Sequence, residues 1–169
     1  MYMIKQALPI GVDNFEEIVE SNYYYVDKTL LIKELLDKKG KVNLFTRPRR
    51  FGKSLNLSML RYYFENVSIF NKDNSSLFED LKIMSAGEEY VKELGKYPVI
   101  SLSLKSAKQP NFEMAYEVLQ REIRREFERH KYVLNIDYDT DIKFNTDQIV
   151  GDAAAPYVGT AIVGSTYVA

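Results

Sequence analysis

The chain has 169 residues, 46% of them hydrophobic and 28% charged, a composition typical of a soluble globular domain with a sizeable core. Its 23 basic and 24 acidic residues nearly cancel, so no overall field draws it to nucleic acid or to an anionic membrane. With no cysteine and one histidine, disulfides, thiolate metal sites and cysteine nucleophiles are excluded, and histidine-based sites nearly so. There is no basic-then-apolar leader and no apolar run of membrane-spanning length, so we expect a cytoplasmic protein with no membrane partner.

The first elements predicted along the chain are two short helices. Asn14 and Glu17 have the spacing of a capping box, which predicts a helix over 14–20. Asp27 is the type of residue that caps a helix, and leucines at helical spacing follow it, so a second helix is predicted over 28–38.

Three consecutive tyrosines, at positions 23–25, lie between these helices. In a nucleotide-binding domain the segment leading into the first strand often runs beside the adenine, and an aromatic ring there can stack on the base. The alternative is that the rings pack this segment against the sheet with their hydroxyls at the surface, and for any single tyrosine we prefer that alternative. Tyr25 and the nearby Asp27 are retained as candidates for the base side of a nucleotide site.

The stretch 42–60 carries the strongest functional signal. A short apolar run beginning at Val42 stops at a turn, and the turn brings Gly52, Lys53 and Ser54 to the start of a helix rich in Leu, Met and aromatic residues. This order of strand, loop and helix is the layout of a phosphate-binding P-loop. Backbone N–H groups at the start of such a helix have no helical partner, so they hold phosphate oxygens, helped by the helix dipole.

Each residue type in this loop has a chemical reason. Gly52 lets the backbone approach a phosphate, Lys53 reaches the terminal phosphates, and Ser54 offers a hydroxyl to the Mg²⁺ that accompanies the nucleotide. The sequence therefore predicts ATP and Mg²⁺ as ligands, with Ser54 as the metal contact. The predicted nucleotide-binding residues are Arg49, Arg50, Phe51, Gly52, Lys53, Ser54 and Leu55.

The first half of this motif departs from the usual GxxxxGK[ST] pattern. Arg47 holds the position of the first glycine, and Pro48 follows it. Because the residue before a proline is pushed towards extended geometry, we expect Arg47 to prolong the strand and the loop to bend later than usual. The alternative interpretation is a surface turn whose Lys and Arg side chains are merely solvated.

The rest of the chain predicts the fold class. Residues 99–104 alternate in the manner of a second strand, and helices are predicted between the two strands, which implies a right-handed crossover in a parallel sheet. Residues 111–131 predict the clearest helix, with apolar side chains stepping by three and four. We therefore predict an α/β fold, a three-layer P-loop NTPase-like core with a parallel but incomplete sheet. Unpaired sheet edges would favour self-association.

The composition changes at residue 135. Residues 135–169 contain five aspartates and one lysine, and the last 17 residues carry no charge. We therefore predict a P-loop domain over 1–134 and a divergent tail over 135–169, whose apolar segments are weak strand candidates.

Several stretches together resemble the AAA-ATPase-like family of P-loop proteins, in its N-terminal part. The resemblance implies that Lys53 and Ser54 bind phosphate and magnesium, and it places Asp27 in a family motif whose role is not assigned. Members often carry a PD-(D/E)XK nuclease-like domain, so a nuclease-like partner is also implied. The stretches are Tyr25-Val-Asp-Lys-Thr29, Thr46-Arg-Pro-Arg-Arg-Phe-Gly-Lys-Ser-Leu-Asn-Leu-Ser58, Leu77-Phe-Glu and Tyr97-Pro-Val-Ile-Ser-Leu102.

Two functions stay open at this point. The first is an ATPase-type module that binds ATP; no apolar strand ending in a Walker B carboxylate follows residue 134, so hydrolysis is expected only if that acidic strand is supplied elsewhere. The alternative is a non-hydrolysing interaction module that keeps the scaffold and binds a protein or nucleic acid through Arg47, Arg49 and Arg50. Because the net charge is close to zero, nucleic acid ranks last among these partners.

Overall fold

The structure is a computed structural model that describes residues 6–46, 48, 50–66, 73–130 and the strand 161–163. Short 3₁₀ helices lie at Ser75–Leu77, Lys82–Ser85 and Lys105–Ala107. The helices and strands of this part of the chain are α1 Phe15–Glu20, α2 Leu30–Lys38, β1 Val42–Leu44, α3 Lys53–Phe64, α4 Glu88–Val91, α5 Phe112–Arg129 and β2 Ala161–Val163.

The chain divides into two compact units, residues 1–99 with 160–169 and residues 100–159. The first unit contains α1 to α4 with both strands, and the second contains α5. The boundary predicted at residue 134 lies outside the described residues and stays a prediction. In the described ranges, no helix is both long enough and apolar enough to cross a bilayer.

The predicted helix starts are confirmed where a capping side chain marks them. Asn14 accepts a hydrogen bond from the Glu16 N–H at 2.9 Å and begins α1. Asn111 accepts one from the Met114 N–H, also at 2.9 Å, and begins α5. These asparagine oxygens each satisfy a backbone donor that the helix itself leaves without an acceptor. Local polar chemistry thus sets both boundaries.

The predicted α/β fold class, a three-layer core with a parallel sheet, is wrong. The described residues are mostly helical, and their regular strand pairing is limited to Val42–Leu44 in parallel with Ala161–Val163. The second predicted strand, residues 99–104, forms no strand, and its Ile100 and Leu104 side chains are 68% and 64% exposed. Alternating apolar residues make a strand only where a neighbour supplies hydrogen bonds and covers the apolar face. Within the described ranges, no segment does so for these residues.

The core of the first unit is built on the buried face of α3. Tyr63 is fully buried, its ring meets Phe78 edge-on at 5.2 Å, and Phe78 stacks on Phe15 at 5.0 Å. The Tyr63 hydroxyl donates to the Tyr90 carbonyl oxygen at 2.6 Å, and burial raises the pKa of Tyr63 to about 12. Aromatic pairs of this kind add stabilisation beyond the area they bury. The carboxyl half of α3 is therefore fixed in the core.

Polar contacts join α1 to the same helix. The Phe15 N–H donates to Ser58 Oγ at 3.0 Å, and the Tyr62 hydroxyl donates to Glu16 Oε2 at 2.9 Å. Ser58 and Tyr62 both lie beyond the first turn of α3, so these contacts do not cover the amino-terminal end of the helix. This is the end that carries the predicted phosphate loop.

Candidate phosphate-binding site

The candidate site is the turn between β1 and the first residues of α3. Gly52 is the residue that precedes the helix, and its backbone is left-handed, with φ 71° and ψ 25°. Arg50 is also left-handed, with φ 68°. Side-chain-bearing L-residues avoid this conformation and glycine adopts it freely, so the turn requires a glycine at 52. At Arg50 the same geometry is a local strain that the surrounding turn maintains.

The start of α3 presents backbone donors to this turn. The Gly52 carbonyl accepts the first helical hydrogen bond, from the Asn56 N–H at 2.9 Å. The N–H groups of the first turn precede that bond and have no acceptor inside the helix, and Gly52 has no side chain that caps them. A helix start next to left-handed residues is the kind of backbone concavity that binds anions.

The side chains at this helix start suit a phosphate ligand. Gly52, Lys53 and Ser54 lie together at the head of α3, as the motif requires, and all three are partly buried. The first turn of α3, which the structure describes completely, contains no acidic side chain. Phe51 is 57% exposed, while Leu55 packs against the core. Of the remaining candidates, Arg50 is exposed at the turn, and Arg49 lies outside the described residues.

Lys28 reaches this loop from a different part of the chain. Its Nζ lies 4.0 Å from the point that a Cβ on Gly52 would occupy. Sequence reasoning did not identify this lysine, although it stands inside the Tyr25–Thr29 motif that carried the family resemblance. The sequence signal that could have identified Lys28 was this motif, considered together with the phosphate loop.

Asp27 holds the chain on one side of Lys28. Its Oδ1 accepts from the Thr29 N–H at 2.8 Å and from the Thr29 hydroxyl at 2.7 Å, and its Oδ2 accepts from the Lys82 N–H at 2.8 Å. Burial opposes ionisation of this carboxyl, but the hydrogen bonds from Thr29 and Lys82 outweigh burial and hold the pKa of Asp27 below its ordinary value. Because Asp27 turns the chain in this way, α2 begins at Leu30 rather than at Lys28.

Tyr25 packs towards the core. Its ring meets Phe15 edge-on at 5.5 Å, and its hydroxyl lies 3.4 Å from Met59 Sδ. Burial raises the pKa of Tyr25 to about 12. These contacts support the packing interpretation of this tyrosine, with the difference that the hydroxyl faces α3 and not the surface. A base-side role for Tyr25 or Asp27 stays a prediction.

Magnesium is the metal that the motif implies. Mg²⁺ bound with a nucleotide takes most of its ligands from phosphates and water and only one or two from the protein. A partly buried Ser54 at the start of the helix fits that requirement. The described part of the chain contains no cluster of three or more His, Cys, Asp or Glu that would hold a metal by itself.

Comparison with known proteins identifies the family. A family model described as Predicted AAA-ATPase matches residues 9–163, which extends past residue 134, the predicted end of the P-loop domain. A protein of Azotobacter chroococcum mcd 1, described as "Uncharacterized protein in vnfD 5'region", is 40% identical over 82 residues, or 48% of this chain. The chain spans 14% of the length of that relative. No solved structure matches the chain. The predicted family is confirmed, and the chain belongs to the AAA-ATPase-like family of predicted AAA-ATPases.

Proposed function

We propose that this chain binds ATP together with Mg²⁺ through the turn at residues 50–55. The observation that carries the proposal is the left-handed Gly52 at the head of α3, followed directly by Lys53 and Ser54. Membership of a family of predicted AAA-ATPases supports it at a coarser level, since such proteins in general use a nucleotide and Mg²⁺.

Each part of the turn has a role in this proposal. The first-turn N–H groups of α3 hold phosphate oxygens, and the helix dipole favours their negative charge. Lys53 contacts the terminal phosphates, and the Ser54 hydroxyl holds Mg²⁺. Bound Mg²⁺ neutralises charge on the phosphates, while this chain supplies the donors that orient them.

ATP hydrolysis is not part of the proposal for this chain alone. Turnover requires a carboxylate that orients Mg²⁺ and the attacking water. We propose that hydrolysis occurs only where such a carboxylate is supplied elsewhere, in the same polypeptide or by a partner. A nuclease-like partner domain and self-association remain proposals that rest on the sequence.

A second candidate function is favoured by the exposure of the turn. Arg50 is exposed, and the neighbouring Phe51 is 57% exposed. Exposed arginine and aromatic side chains are enriched in the central residues of protein interfaces. In this alternative, Arg47, Arg49 and Arg50 bind a protein or nucleic-acid partner, and the scaffold is kept without turnover.

Magnesium dependence separates these two functions. Calorimetric titration with ATP, in Mg²⁺ and in EDTA, is carried out on the unaltered chain and on Ser54→Ala. The ATP proposal predicts saturable binding that Mg²⁺ strengthens, with most of this strengthening lost in Ser54→Ala. ATP binding that is insensitive to both Mg²⁺ and the serine would contradict the assigned role of Ser54. Absence of binding by the folded chain would make the interaction module the leading function.

A further inference from the structure

We propose that Lys28 is a further phosphate-binding residue of this site, positioned by Asp27 and Thr29. This inference rests on the proposed ATP binding and adds a residue from outside the P-loop motif. It also assigns a role to the segment Asp27-Lys28-Thr29, which the family resemblance leaves without one.

The ammonium group of Lys28 lies next to the phosphate loop. Lys28 Nζ is 4.0 Å from the point that a Cβ on Gly52 would occupy, and apart from the loop itself no other described atom comes as near to that point. Among the described residues outside the loop, the Lys28 ammonium group is therefore what borders the glycine on this side. A glycine with open space beside it is where a loop of this kind lets a phosphate approach the backbone.

The charge of Lys28 favours an anionic ligand. Lys28 has no ion-pair partner among the described residues, and the first turn of α3 contains no acidic side chain. The amino-terminal end of a helix is partly positive, so a lysine close to it is unfavourable in the absence of an anion. Lys53 is the first residue of the same helix. A polyphosphate supplies the negative charge that makes a lysine at this position favourable.

The neighbours of Lys28 in the chain are held by hydrogen bonds. Asp27 accepts from the Lys82 N–H at 2.8 Å, and Thr29 Oγ1 accepts from the Ile83 N–H at 3.2 Å. Thr29 is fully buried, while Lys28 is exposed. Residues 27 and 29 thus tie the backbone to the 3₁₀ helix at 82–85, while the Lys28 side chain reaches Gly52. A held backbone reduces the entropy lost when a flexible lysine binds an anion.

The chemistry selects phosphate rather than base as the group contacted. A lysine ammonium is a compact point charge that suits phosphate oxygens and makes no planar contact with a purine. Lys28 lies against the glycine that precedes α3, next to the first-turn N–H groups that hold phosphate oxygens in the proposed function. Lys28 therefore acts on the phosphate chain.

The test compares Lys28 variants in the full chain by calorimetry, with MgATP and with inorganic tripolyphosphate plus Mg²⁺ as probes. Lys28→Met removes the charge and keeps the chain length, Lys28→Arg keeps the charge, and Lys38→Met removes a lysine from the far end of α2. Lys28→Met loses a charge-assisted contact with phosphate, so its affinity for both probes should fall about tenfold or more. Lys28→Arg should restore most of the affinity, and Lys38→Met should bind as the unaltered chain does.

The outcomes separate this inference from the proposed function. If Lys28→Met binds both probes normally while Lys53→Ala loses them, the Lys28 role is overturned and the ATP proposal stands. If Lys28→Met has a lower affinity for MgATP but an unchanged affinity for tripolyphosphate, the assignment of Lys28 to the phosphates is overturned. If the unaltered chain binds neither probe, both proposals fall. Circular dichroism checks the fold of each variant, and Lys28→Gln replaces the methionine variant if that one does not fold.

Discussion

Asp27 Oδ2 accepts a hydrogen bond from the Lys82 N–H at 2.8 Å and thereby joins the segment before α2 to a 3₁₀ helix far along the chain. The other oxygen of the same carboxylate accepts from the backbone and the hydroxyl of Thr29. Thr29 in turn accepts from the Ile83 N–H. One carboxylate and one hydroxyl therefore fix the backbone on both sides of Lys28.

Replacing Asp27 with alanine is expected to destabilise the fold. The change removes three hydrogen bonds and leaves donors of Thr29 and Lys82 without an acceptor, for a loss of about 2–3 kcal/mol in the free energy of unfolding. Urea denaturation followed by circular dichroism measures it. Asp73→Ala is the matched control, because Asp73 makes the same two contacts with Ser75 at an exposed site. Equal losses in the two variants would contradict a bracing role for Asp27.

The same carboxylate predicts a pH dependence of stability. Hydrogen bonds depress the pKa of Asp27 in the folded chain below its ordinary value of 3.8, so the unfolded chain binds the proton more tightly. The stabilisation is therefore complete above that ordinary value and is lost as pH falls through the lower folded pKa. At neutral pH the urea midpoint of the unaltered chain should be higher than that of Asp27→Asn. In acid the difference between the two midpoints should become smaller. A difference that is constant with pH would show that ionisation of Asp27 is irrelevant.

Gly52→Ala is expected to impair both the turn and the ligand site. Space for the methyl group exists, since the nearest described atom outside the loop is 4.0 Å away, but φ 71° is disfavoured for alanine by about 1–2 kcal/mol. We expect either a loss of that size in the free energy of unfolding, measured by urea denaturation, or a change in the backbone conformation of the turn. In both cases calorimetry should show weaker ATP binding. Gly95→Ala is the control, because Gly95 has the same φ of 71° and lies at the opposite end of α3. Gly95→Ala should lose a similar amount of stability and keep its affinity for ATP. If Gly95→Ala also lost ATP affinity, the effect of Gly52→Ala on binding would be a general consequence of unfolding.

Tyr25 provides a test of base stacking against core packing. Tyr25→Phe keeps the ring that meets Phe15 at 5.5 Å and removes the hydroxyl near Met59. If the ring serves the core, Tyr25→Phe should change ATP affinity little, and Tyr25→Leu should lower the thermal midpoint without changing the ratio of ATP to tripolyphosphate affinity. A selective loss of ATP affinity in Tyr25→Leu would instead support the base-side prediction.

The elements that local chemistry determines could be predicted from the sequence. Asn14 and Asn111 cap their helices with their own side chains, so a few neighbouring residues contain the whole signal. The turn at Gly52 and the helix that follows it were predictable for the same reason, because Gly52, Lys53 and Ser54 are adjacent in the chain. The family resemblance rested on motifs within single short stretches such as 25–29 and 46–58, and the family is confirmed over residues 9–163.

The remaining features depend on contacts between distant segments, and sequence reasoning failed there. Residues 99–104 have the alternation of a strand, but pairing requires a neighbouring strand that the alternation itself cannot specify. Lys28 was missed because its position at Gly52 depends on Asp27 and Thr29 binding the backbone at 82–83. Those hydrogen bonds join residues more than fifty positions apart, so no local pattern reports them.

The central claim, that the turn before α3 binds ATP, is tested most directly by calorimetric titration of the unaltered chain and of Lys53→Ala with MgATP. Lys38→Ala, a lysine variant at the end of α2, is the control for loss of one positive charge. The account predicts saturable binding by the unaltered chain and by Lys38→Ala, with binding by Lys53→Ala weakened at least tenfold, as expected for a lost charge-assisted contact of about 1.5–3 kcal/mol. Equal affinity in all three proteins, or no binding by the folded unaltered chain, would contradict it.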